Sequence, residues 1–328
     1  MNQAMSDPGP AVARLRQARR VLVTAHERPD GDAVGSELAL AELARHFGAE
    51  VRIFNRDPAP MSLQDLPGVG EIQVVESLPS GFESTFDLLV TLECSDLTRS
   101  GFTGLNALPI LNIDHHPGNP GYGEVNFLDP TAPAVGEMVW RMFDDADVRP
   151  SADVATNAYV ALSTDTGDFR YSSANPRAFR AAAEMVQAGA EPVQVAEWIH
   201  GRRSLASVRL LGEALATLRL AYDGRLATVQ LDEQAFARAG ASPTDSEDII
   251  NHPRAIEGVQ IVAFFKQWEP GVVRVSMRSR GPVDVRSVAT SFGGGGHVNA
   301  AACTLESPLE EAWERVTAAL GEALGSAS

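Results

Sequence analysis

Cysteine is scarce in this chain. The 328 residues include only Cys94 and Cys303, and there is no CxxC pair. Neither a disulfide framework nor a zinc knuckle is therefore supported. The sequence also lacks an apolar run near the roughly 20 residues of a membrane span, and its N-terminal residues lack the apolar core of a signal peptide. These absences predict a soluble, cytoplasmic protein with no membrane partner.

Basic residues are also in short supply. The chain has 27 Lys and Arg against 43 Asp and Glu, which gives a formal net charge of -16. An acidic surface of this kind is a poor partner for long duplex nucleic acid or for anionic lipid. A short anionic substrate remains compatible, because a few local cations and metal ions are enough to hold it. The length favours two domains, and the sequence leaves a homodimer open.

The first half of the chain predicts a parallel sheet. The residues before Val21 are expected to be loose, and a helix is predicted from Asp32 to Gly48. Further helix-forming sequence runs from Ser151 into a polar turn. The apolar strands are mostly continuous and are predicted at 21–26, 51–55, 86–94 and 109–114. Continuous apolar strands separated by helices are typical of a parallel sheet that is flanked by helices on both faces.

The second half predicts a smaller α/β domain. Helices are expected from 176 to about 220, and a C-terminal helix from about Leu309. Between them, strands are predicted at 226–232, 259–267 and 272–279. A short helix is predicted at 283–292, and a glycine run follows it at 293–296. The predicted organisation is a first domain at 1–185, a helical linker at 186–220 and a second domain at 221–328.

Acids and histidines follow the predicted strands of the first domain. The stretches that carry them are "HERPDGDAVGS", "LECSD", "IDHH" and "STDTGDF", and their polar side chains are His26, Asp30, Asp32, Glu93, Asp96, Asp114, His115, His116 and Asp165. Taken singly, Asp32 fits a helix N-cap, Asp30 fits a turn, and His26 fits a buried core histidine. Open parallel sheets place ligand sites at the carboxyl ends of their strands, so we expect these loops to converge.

A convergent cluster of this composition requires cations. Two carboxylates about 4 Å apart repel by roughly 4 kcal/mol at an effective dielectric near 20. Carboxylate and imidazole ligands without thiolate favour Mn²⁺, Fe²⁺ or Co²⁺ over structural zinc. Two such ions about 3.5–4 Å apart suit phosphoryl chemistry, because they clamp the phosphate and activate a water.

These motifs resemble the DHH phosphoesterase superfamily, which is named for an Asp-His-His triplet like that at 114–116. Within it the chain is most similar to the NrnA-type DHH/DHHA1 proteins, which are oligoribonucleases and 3′-phosphoadenosine-5′-phosphate (pAp) phosphatases. The resemblance extends over "HERPDGDAVGS", "LECSD", "IDHHPGN", "STDTGDFRYS" and the C-terminal "VSMRSRGPVDVRSVATSFGGGGHVNAAA". It implies an N-terminal DHH domain, a helical linker and a smaller C-terminal α/β DHHA1 domain.

The resemblance implies two divalent metal ions, foremost Mn²⁺, with Co²⁺ or Mg²⁺ as alternatives. The implied ligands are His26, Asp30, Asp32, Glu93, His115 and Asp165. His116 would face the scissile phosphate, and Asp114 would orient a ligating imidazole. The family commonly has Asp at the position of Glu93, so Asp96 is an alternative ligand there.

The second domain is expected to hold the substrate. The glycine run fits an ordinary turn, or a backbone surface that approaches a phosphate or base. By resemblance, the substrate-binding residues are Arg278, Ser279, Gly294, Gly295, Gly296 and His297, with Arg99 from the first domain.

The expected activity is hydrolysis of short oligonucleotides of two to five nucleotides, including pApA-type dinucleotides, to 5′-mononucleotides. Removal of the 3′-phosphate of pAp is a second expected activity. The alternatives are a RecJ-like single-strand exonuclease, a family II pyrophosphatase and a non-catalytic nucleotide-binding module.

Overall fold

The computed structural model describes residues 6–201, 203–246 and 249–326; the side chains of His297 and Ser326 lie outside the described part. The chain divides into two compact units, Met1–Arg202 and Arg203–Ser328. Among the described residues, none of the helices combines the length and the apolar character needed to cross a membrane.

The first unit contains a six-stranded sheet. Its strands are β1 (Arg20–Thr24), β2 (Glu50–Asn55), β3 (Ile72–Val74), β4 (Leu88–Leu92), β5 (Ile110–Asp114) and β6 (Val125–Leu128). The spatial order is β3-β2-β1-β4-β5-β6, and every neighbouring pair is parallel. The predicted parallel sheet is confirmed. The strand order reverses between β1 and β4, and in such sheets this switch point is where ligands bind.

The helices of this unit contribute to the core on one face of the sheet, except Phe82–Thr85, which packs on the other face. They are α1 (Gly9–Gln17), α2 (Gly31–His46), α3 (Phe82–Thr85), α4 (Val135–Asp145), α5 (Ala152–Asp165), α6 (Pro176–Ala188) and α7 (Pro192–His200). Helices α2, α4 and α5 pack closely because two glycines face neighbouring helices. A Cβ on Gly35 would lie 2.3 Å from the Asn157 carbonyl oxygen, and one on Gly136 would lie 2.3 Å from the Ala161 Cβ. This close packing places the N-terminus of α2 beside the C-terminus of α5.

The expectation of a loose chain before Val21 is wrong for the residues of α1. Ala11, Val12 and Leu15 are buried in the core of the first unit. Their spacing puts them on one face of a helix, and Pro8 stands at its N-cap. An amphipathic helix this short is stabilised by packing rather than by propensity.

The second unit contains a mixed sheet. Its elements are α8 (Leu205–Ala216), β7 (Arg219–Ala221), β8 (Leu226–Leu231), α9 (Glu233–Ala239), β9 (Ile261–Glu269), β10 (Val272–Ser279), α10 (Val285–Ser291), β11 (Gly295–His297), β12 (Ala300–Glu306) and α11 (Leu309–Ser326). The strand order is β11-β12-β10-β9-β8-β7. Only β8 and β9 pair in parallel among these described strands. The α/β class of both units is confirmed.

The predicted linker, 186–220, is helical at α7 and α8, and the boundary between the units falls between these two helices. Helix α7 buries Val195 and Trp198 in the first core. Helix α8 buries Leu210 and Ala214 against the second sheet.

Candidate metal centre

The predicted ligands of the first unit follow three strand ends and one helix end. His26, Asp30 and Asp32 lie between β1 and the first turn of α2. Glu93 follows β4, Asp114 ends β5, and Asp165 ends α5. The strands β1, β4 and β5 are neighbours in the sheet, so their carboxyl ends lie together. The loops that follow these strands therefore converge, as the sequence predicted.

His26 and Asp30 form one edge of the cluster. The His26 Nε2 atom lies 3.8 Å from Asp30 Oδ1. The His26 Nδ1 atom is 2.8 Å from the Glu27 carbonyl oxygen, and because a carbonyl can only accept, Nδ1 carries the proton. Burial is the largest effect and lowers the pKa of His26, but the interactions with Asp30 and with the Glu27 carbonyl together raise the net pKa above its ordinary value. Asp30 also caps α2 by accepting from the Ala33 N–H at 3.1 Å.

Asp32 is a buried carboxylate that is held by the N-terminus of α4. Its Oδ2 accepts from the Val135 N–H at 2.7 Å, and its Oδ1 accepts from the Gly136 N–H at 2.9 Å. The Ser36 hydroxyl also donates to Oδ1, at 2.9 Å. A carboxylate fixed by three donors still has lone pairs for a cation. The N-cap of α2 is Asp30 and not Asp32, which the sequence had indicated as a possible cap.

His115 lies at the centre of the cluster. Its Nε2 is 3.3 Å from Glu93 Oε1 and 3.6 Å from Asp165 Oδ2. Its Nδ1 is 3.0 Å from the Ala132 carbonyl oxygen, which assigns the ring proton to Nδ1. Nε2 therefore faces two carboxylates with its lone pair. Glu93 with His115 and His116, and Asp32 with His115 and Asp165, each bring ligand atoms within 4.8 Å of one another.

Two features of this cluster fit a cation. Glu93 Oε1 is buried and has no hydrogen-bond partner among the described residues, although it faces an imidazole nitrogen. Burial raises the pKa of Glu93 well above its ordinary value, and Asp32 and Asp30 raise it further. Burial, and then the Asp32 carboxylate, raise the pKa of Asp165 to about 7. A divalent ion would pair the orphaned oxygen and allow these acids to ionise.

Glu93, and not Asp96, lies in this cluster. The Glu93 backbone has φ 60°, in the left-handed region that a glutamate rarely occupies. This conformation turns the side chain toward the two histidines. Asp96 instead caps a short 3₁₀ helix, where its Oδ1 accepts from the Thr98 N–H and hydroxyl at 2.8 and 2.6 Å.

Asp114 supports His116 rather than His115. Its Oδ1 accepts from His116 Nδ1 at 2.8 Å and from the His116 N–H at 3.2 Å. Its Oδ2 accepts from Asn119 Nδ2 at 2.7 Å. The expectation that Asp114 orients a ligating imidazole therefore has to be revised for this geometry. The carbonyl of Ala132 orients the His115 ring. Asp114 orients the His116 ring and leaves the Nε2 atom of His116 available.

Sequence reasoning did not include Asn119 or Ala132. Asn119 also donates to the Cys94 carbonyl at 3.2 Å, so it connects the loop after β5 to the chain that leaves β4. Its position within "DHHPGN" was a usable signal, because a polar amide in a turn beside buried acids usually has a partner. A carbonyl such as that of Ala132 leaves no mark in the sequence.

Arg99 is a cation near this cluster in the first unit. Its side chain is half-buried, and its positive charge opposes protonation of His26. The Arg99 carbonyl accepts from the Glu27 N–H at 2.7 Å, which ties its loop to the one after β1. Arg99 is thus placed near the acidic cluster.

The predicted substrate residues of the second unit have different surroundings. Arg278 is half-buried on β10. Ser279 is buried, and its hydroxyl donates to the Val283 carbonyl at 2.7 Å and accepts from Asn299 Nδ2 at 2.9 Å. Ser279 therefore holds the loop after β10, and its contact with substrate stays a prediction.

The glycine run contains both packed and open positions. A Cβ on Gly294 would lie 2.1 Å from the Ala302 carbonyl oxygen, and one on Gly296 would lie 2.5 Å from the Ala300 carbonyl oxygen. A Cβ on Gly295 would meet nothing within 4 Å. The backbone of His297 ends the edge strand β11, and its side chain lies outside the described part of the structure. Gly293 is open in the same way, so Gly293 and Gly295 are the open positions of this run.

Comparison with known proteins gives the family of this chain. Residues 20–162 match the DHH family, N-terminal domain, and residues 223–326 match the DHHA1 domain. A bifunctional oligoribonuclease and PAP phosphatase NrnA of Thermus thermophilus is 35% identical over 93% of this chain and 90% of its own length.

Two solved structures share the fold. An exopolyphosphatase-related protein from Bacteroides fragilis has a TM-score of 0.87 at 23% identity, with 98% of each chain covered. Exonuclease RecJ bound to manganese has a TM-score of 0.53 at 15% identity, with 97% of this chain and 94% of that chain covered. From the two matched domains and the Thermus relative, this chain belongs to the DHH family and carries a C-terminal DHHA1 domain.

Proposed function

We propose that this chain is a divalent-metal-dependent phosphoesterase that degrades short oligonucleotides to 5′-mononucleotides. Its substrates would be chains of two to five nucleotides, including pApA-type dinucleotides, and it would also remove the 3′-phosphate of pAp. The observation that carries the proposal is the buried Glu93 oxygen, which faces His115 without a hydrogen bond. The similarity to a protein named bifunctional oligoribonuclease and PAP phosphatase supports the substrate class.

The proposed ligands are His26, Asp30, Asp32, Glu93, His115 and Asp165. Bound divalent ions would polarise the phosphate and supply a nucleophilic water at neutral pH. The mixture of carboxylates and imidazoles favours Mn²⁺ over Zn²⁺, with Co²⁺ or Mg²⁺ as substitutes. The two cysteines are unpaired and buried, which suits the reducing cytoplasm that we propose as the location.

His116 is proposed as the group that exchanges a proton with the substrate. The hydrogen bond to Asp114 fixes the His116 ring and places a proton on Nδ1, so Nε2 would face the leaving oxygen. In the imidazolium form Nε2 would carry a second proton and donate it to that oxygen, which leaves the neutral imidazole. Burial raises the pKa of Asp114, but its hydrogen bonds with His116 and Asn119 bring the net pKa below its ordinary value. Asp114 is therefore ionised at neutral pH and holds the ring throughout the reaction.

Cationic groups are proposed to hold the substrate phosphates. In the first unit, Arg99 would bind a substrate phosphate. In the second unit, Arg278 would bind the terminal nucleotide together with Ser279, Gly294, Gly295, Gly296 and His297. A few local cations suit a short substrate. The net charge of -16 disfavours a long polyanion.

A turnover assay over a ladder of 5′-labelled RNAs tests the proposal. Purified protein with Mn²⁺ is offered RNAs from dinucleotide to long single strand, and in parallel pAp, pyrophosphate and single-stranded DNA. Fastest release of mononucleotide from the shortest RNAs is expected. Turnover restricted to pyrophosphate, or to long single-stranded DNA, would favour the pyrophosphatase or the RecJ-like alternative instead. His115→Ala is the control, and undiminished turnover by this variant would point to a contaminating enzyme and a non-catalytic chain.

A further inference from the structure

The segment Asp129–Gly136, "DPTAPAVG", contacts two of the proposed metal ligands. The Ala132 carbonyl accepts from His115 Nδ1 at 3.0 Å. The N–H groups of Val135 and Gly136 donate to the two oxygens of Asp32 at 2.7 and 2.9 Å. The orientations of a ligating imidazole and of a ligating carboxylate therefore depend on the path of one short piece of backbone.

One arginine of α6 connects the two ends of this segment. Arg177 Nη1 lies 2.8 Å from Asp129 Oδ2, at the start of the segment. Arg177 Nε donates to Glu137 Oε1 at 2.6 Å, and its Nη2 pairs with Glu137 Oε2, just after the segment. Asp129 and Glu137 are 2% and 3% exposed, so both carboxylates are almost completely removed from solvent.

Asp129 also forms hydrogen bonds within the segment. Asp129 Oδ1 accepts from the Thr131 N–H at 3.1 Å and from the Thr131 hydroxyl at 2.6 Å. Arg141 adds a second cation, with Nη1 at 3.3 Å from Asp129 Oδ2. Of the two acids, Arg141 forms an ion pair with Asp129, and its Nη2 donates instead to the Ser6 carbonyl. The planar guanidinium of Arg177 bridges both acids. A bidentate fork of this kind sets geometry as well as charge.

We infer that Arg177 is a positioning residue for the metal centre, acting through the segment Asp129–Gly136 on His115 and Asp32. The inference rests on the proposed metal centre. Loss of Arg177 leaves Glu137 without its ion-pair partner and Asp129 with Arg141 as its remaining cation. A buried carboxylate that loses its partner moves toward solvent or takes up a proton. Either change removes the bridge that fixes the two ends of the segment and so displaces the backbone that orients both ligands. Among the described residues, the recorded ion pairs and hydrogen bonds of Arg177 include none with a proposed ligand.

Arg177→Met tests the inference, with Leu43→Ala as a control for stability. Leu43 is fully buried on α2, eleven residues after Asp32, and its truncation destabilises the same core. The affinity for Mn²⁺ is measured by electron paramagnetic resonance of the free ion, and the visible spectrum is recorded after loading with Co²⁺. Circular dichroism selects a temperature at which both variants are folded.

Arg177→Met is expected to bind Mn²⁺ about 10- to 100-fold more weakly than the wild type, as is usual for groups that support metal ligands. Its Co²⁺ spectrum should change, because the coordination geometry changes. Leu43→Ala should keep the wild-type affinity and spectrum. Arg177→Lys keeps the positive charge but cannot bridge both acids with a planar guanidinium, so an intermediate Mn²⁺ affinity is expected. If Arg177→Met does not fold, Arg177→Lys is the variant that tests the inference.

Three results would contradict the inference or the metal centre on which it rests. Wild-type Mn²⁺ affinity and Co²⁺ spectrum in Arg177→Met, or in a folded Arg177→Lys, would overturn the inference and leave the proposed function standing. An equal loss of affinity in Leu43→Ala would also overturn it, because general destabilisation would then be the cause. Absence of metal binding by the wild type would overturn the proposed metal centre itself.

Discussion

Glu37→Gln is expected to change how the stability of this protein depends on pH. Glu37 lies on α2 and is fully buried. Its Oε2 accepts from Asn55 Nδ2 at 2.8 Å, and its Oε1 has no hydrogen-bond partner among the described residues. Burial raises the pKa of Glu37 from 4.5 to about 8, against a smaller lowering by Asn55. At neutral pH the side chain is therefore protonated in the folded protein and ionised in the unfolded chain.

The sign of the effect follows from proton binding. Between pH 4.5 and about 8, the folded state holds a proton that the unfolded state has lost, so the free energy of unfolding falls as pH rises. The fall is about 1.4 kcal/mol per pH unit, and at most roughly 5 kcal/mol over the whole window. Glutamine is neutral throughout. The variant should therefore gain stability relative to the wild type as pH rises, and the gain should level off above about pH 8.

Urea unfolding followed by circular dichroism, from pH 5 to pH 9, measures this difference. Other titrating groups cancel because both proteins share them. Glu42→Gln is the matched control, since Glu42 is exposed on the same helix. Its stability difference from the wild type should vary little with pH. A pH-independent difference for Glu37→Gln, or one that falls as pH rises, would refute the reasoning.

Three further predictions concern the two units. Glu93→Gln should lower kcat/KM on a dinucleotide by at least about 100-fold, because a ligand is lost, while Asp96→Asn should stay near the wild type; the reverse order would transfer the ligand role to Asp96. Ser279→Ala should lower the stability of the second unit by about 1–3 kcal/mol in thermal unfolding, because the carbonyl of buried Val283 loses its hydrogen bond; unchanged stability would contradict that role. Gly294→Ala should lower the melting temperature, because its Cβ meets a carbonyl oxygen, whereas Gly295→Ala should keep the melting temperature and raise KM; equal melting temperatures would contradict the assignment of packed and open positions.

The sequence predicted the sheet and the location of its polar cluster well. Continuous apolar strands indicate a parallel sheet by simple burial on both faces, and β1, β4 and β5 have this character. Parallel strands bring their carboxyl ends to one edge, so the convergence of His26, Glu93 and His115 followed from topology. The short edge strands β3 and β6 carry partly exposed residues and gave no comparable signal.

The detailed partners could not be predicted, because they depend on backbone paths. Glu93 reaches the cluster through a left-handed backbone conformation that glutamate has no intrinsic preference for. Ala132 supports His115 through a carbonyl group that every residue possesses. Arg177 lies in a helix that the sequence indicated, but the acids it joins precede it by many residues. Such long-range pairings are fixed by the folded chain as a whole.

Anomalous X-ray scattering from crystals grown with Mn²⁺ tests the central claim most directly. The account predicts two manganese peaks about 3.5–4 Å apart, as expected for a two-ion phosphoesterase. The peaks should lie among His26, Asp30, Asp32, Glu93, His115 and Asp165, and Glu93 Oε1 should contact manganese. No manganese peak in this cluster, or a single ion that leaves Glu93 Oε1 without a partner, would contradict it.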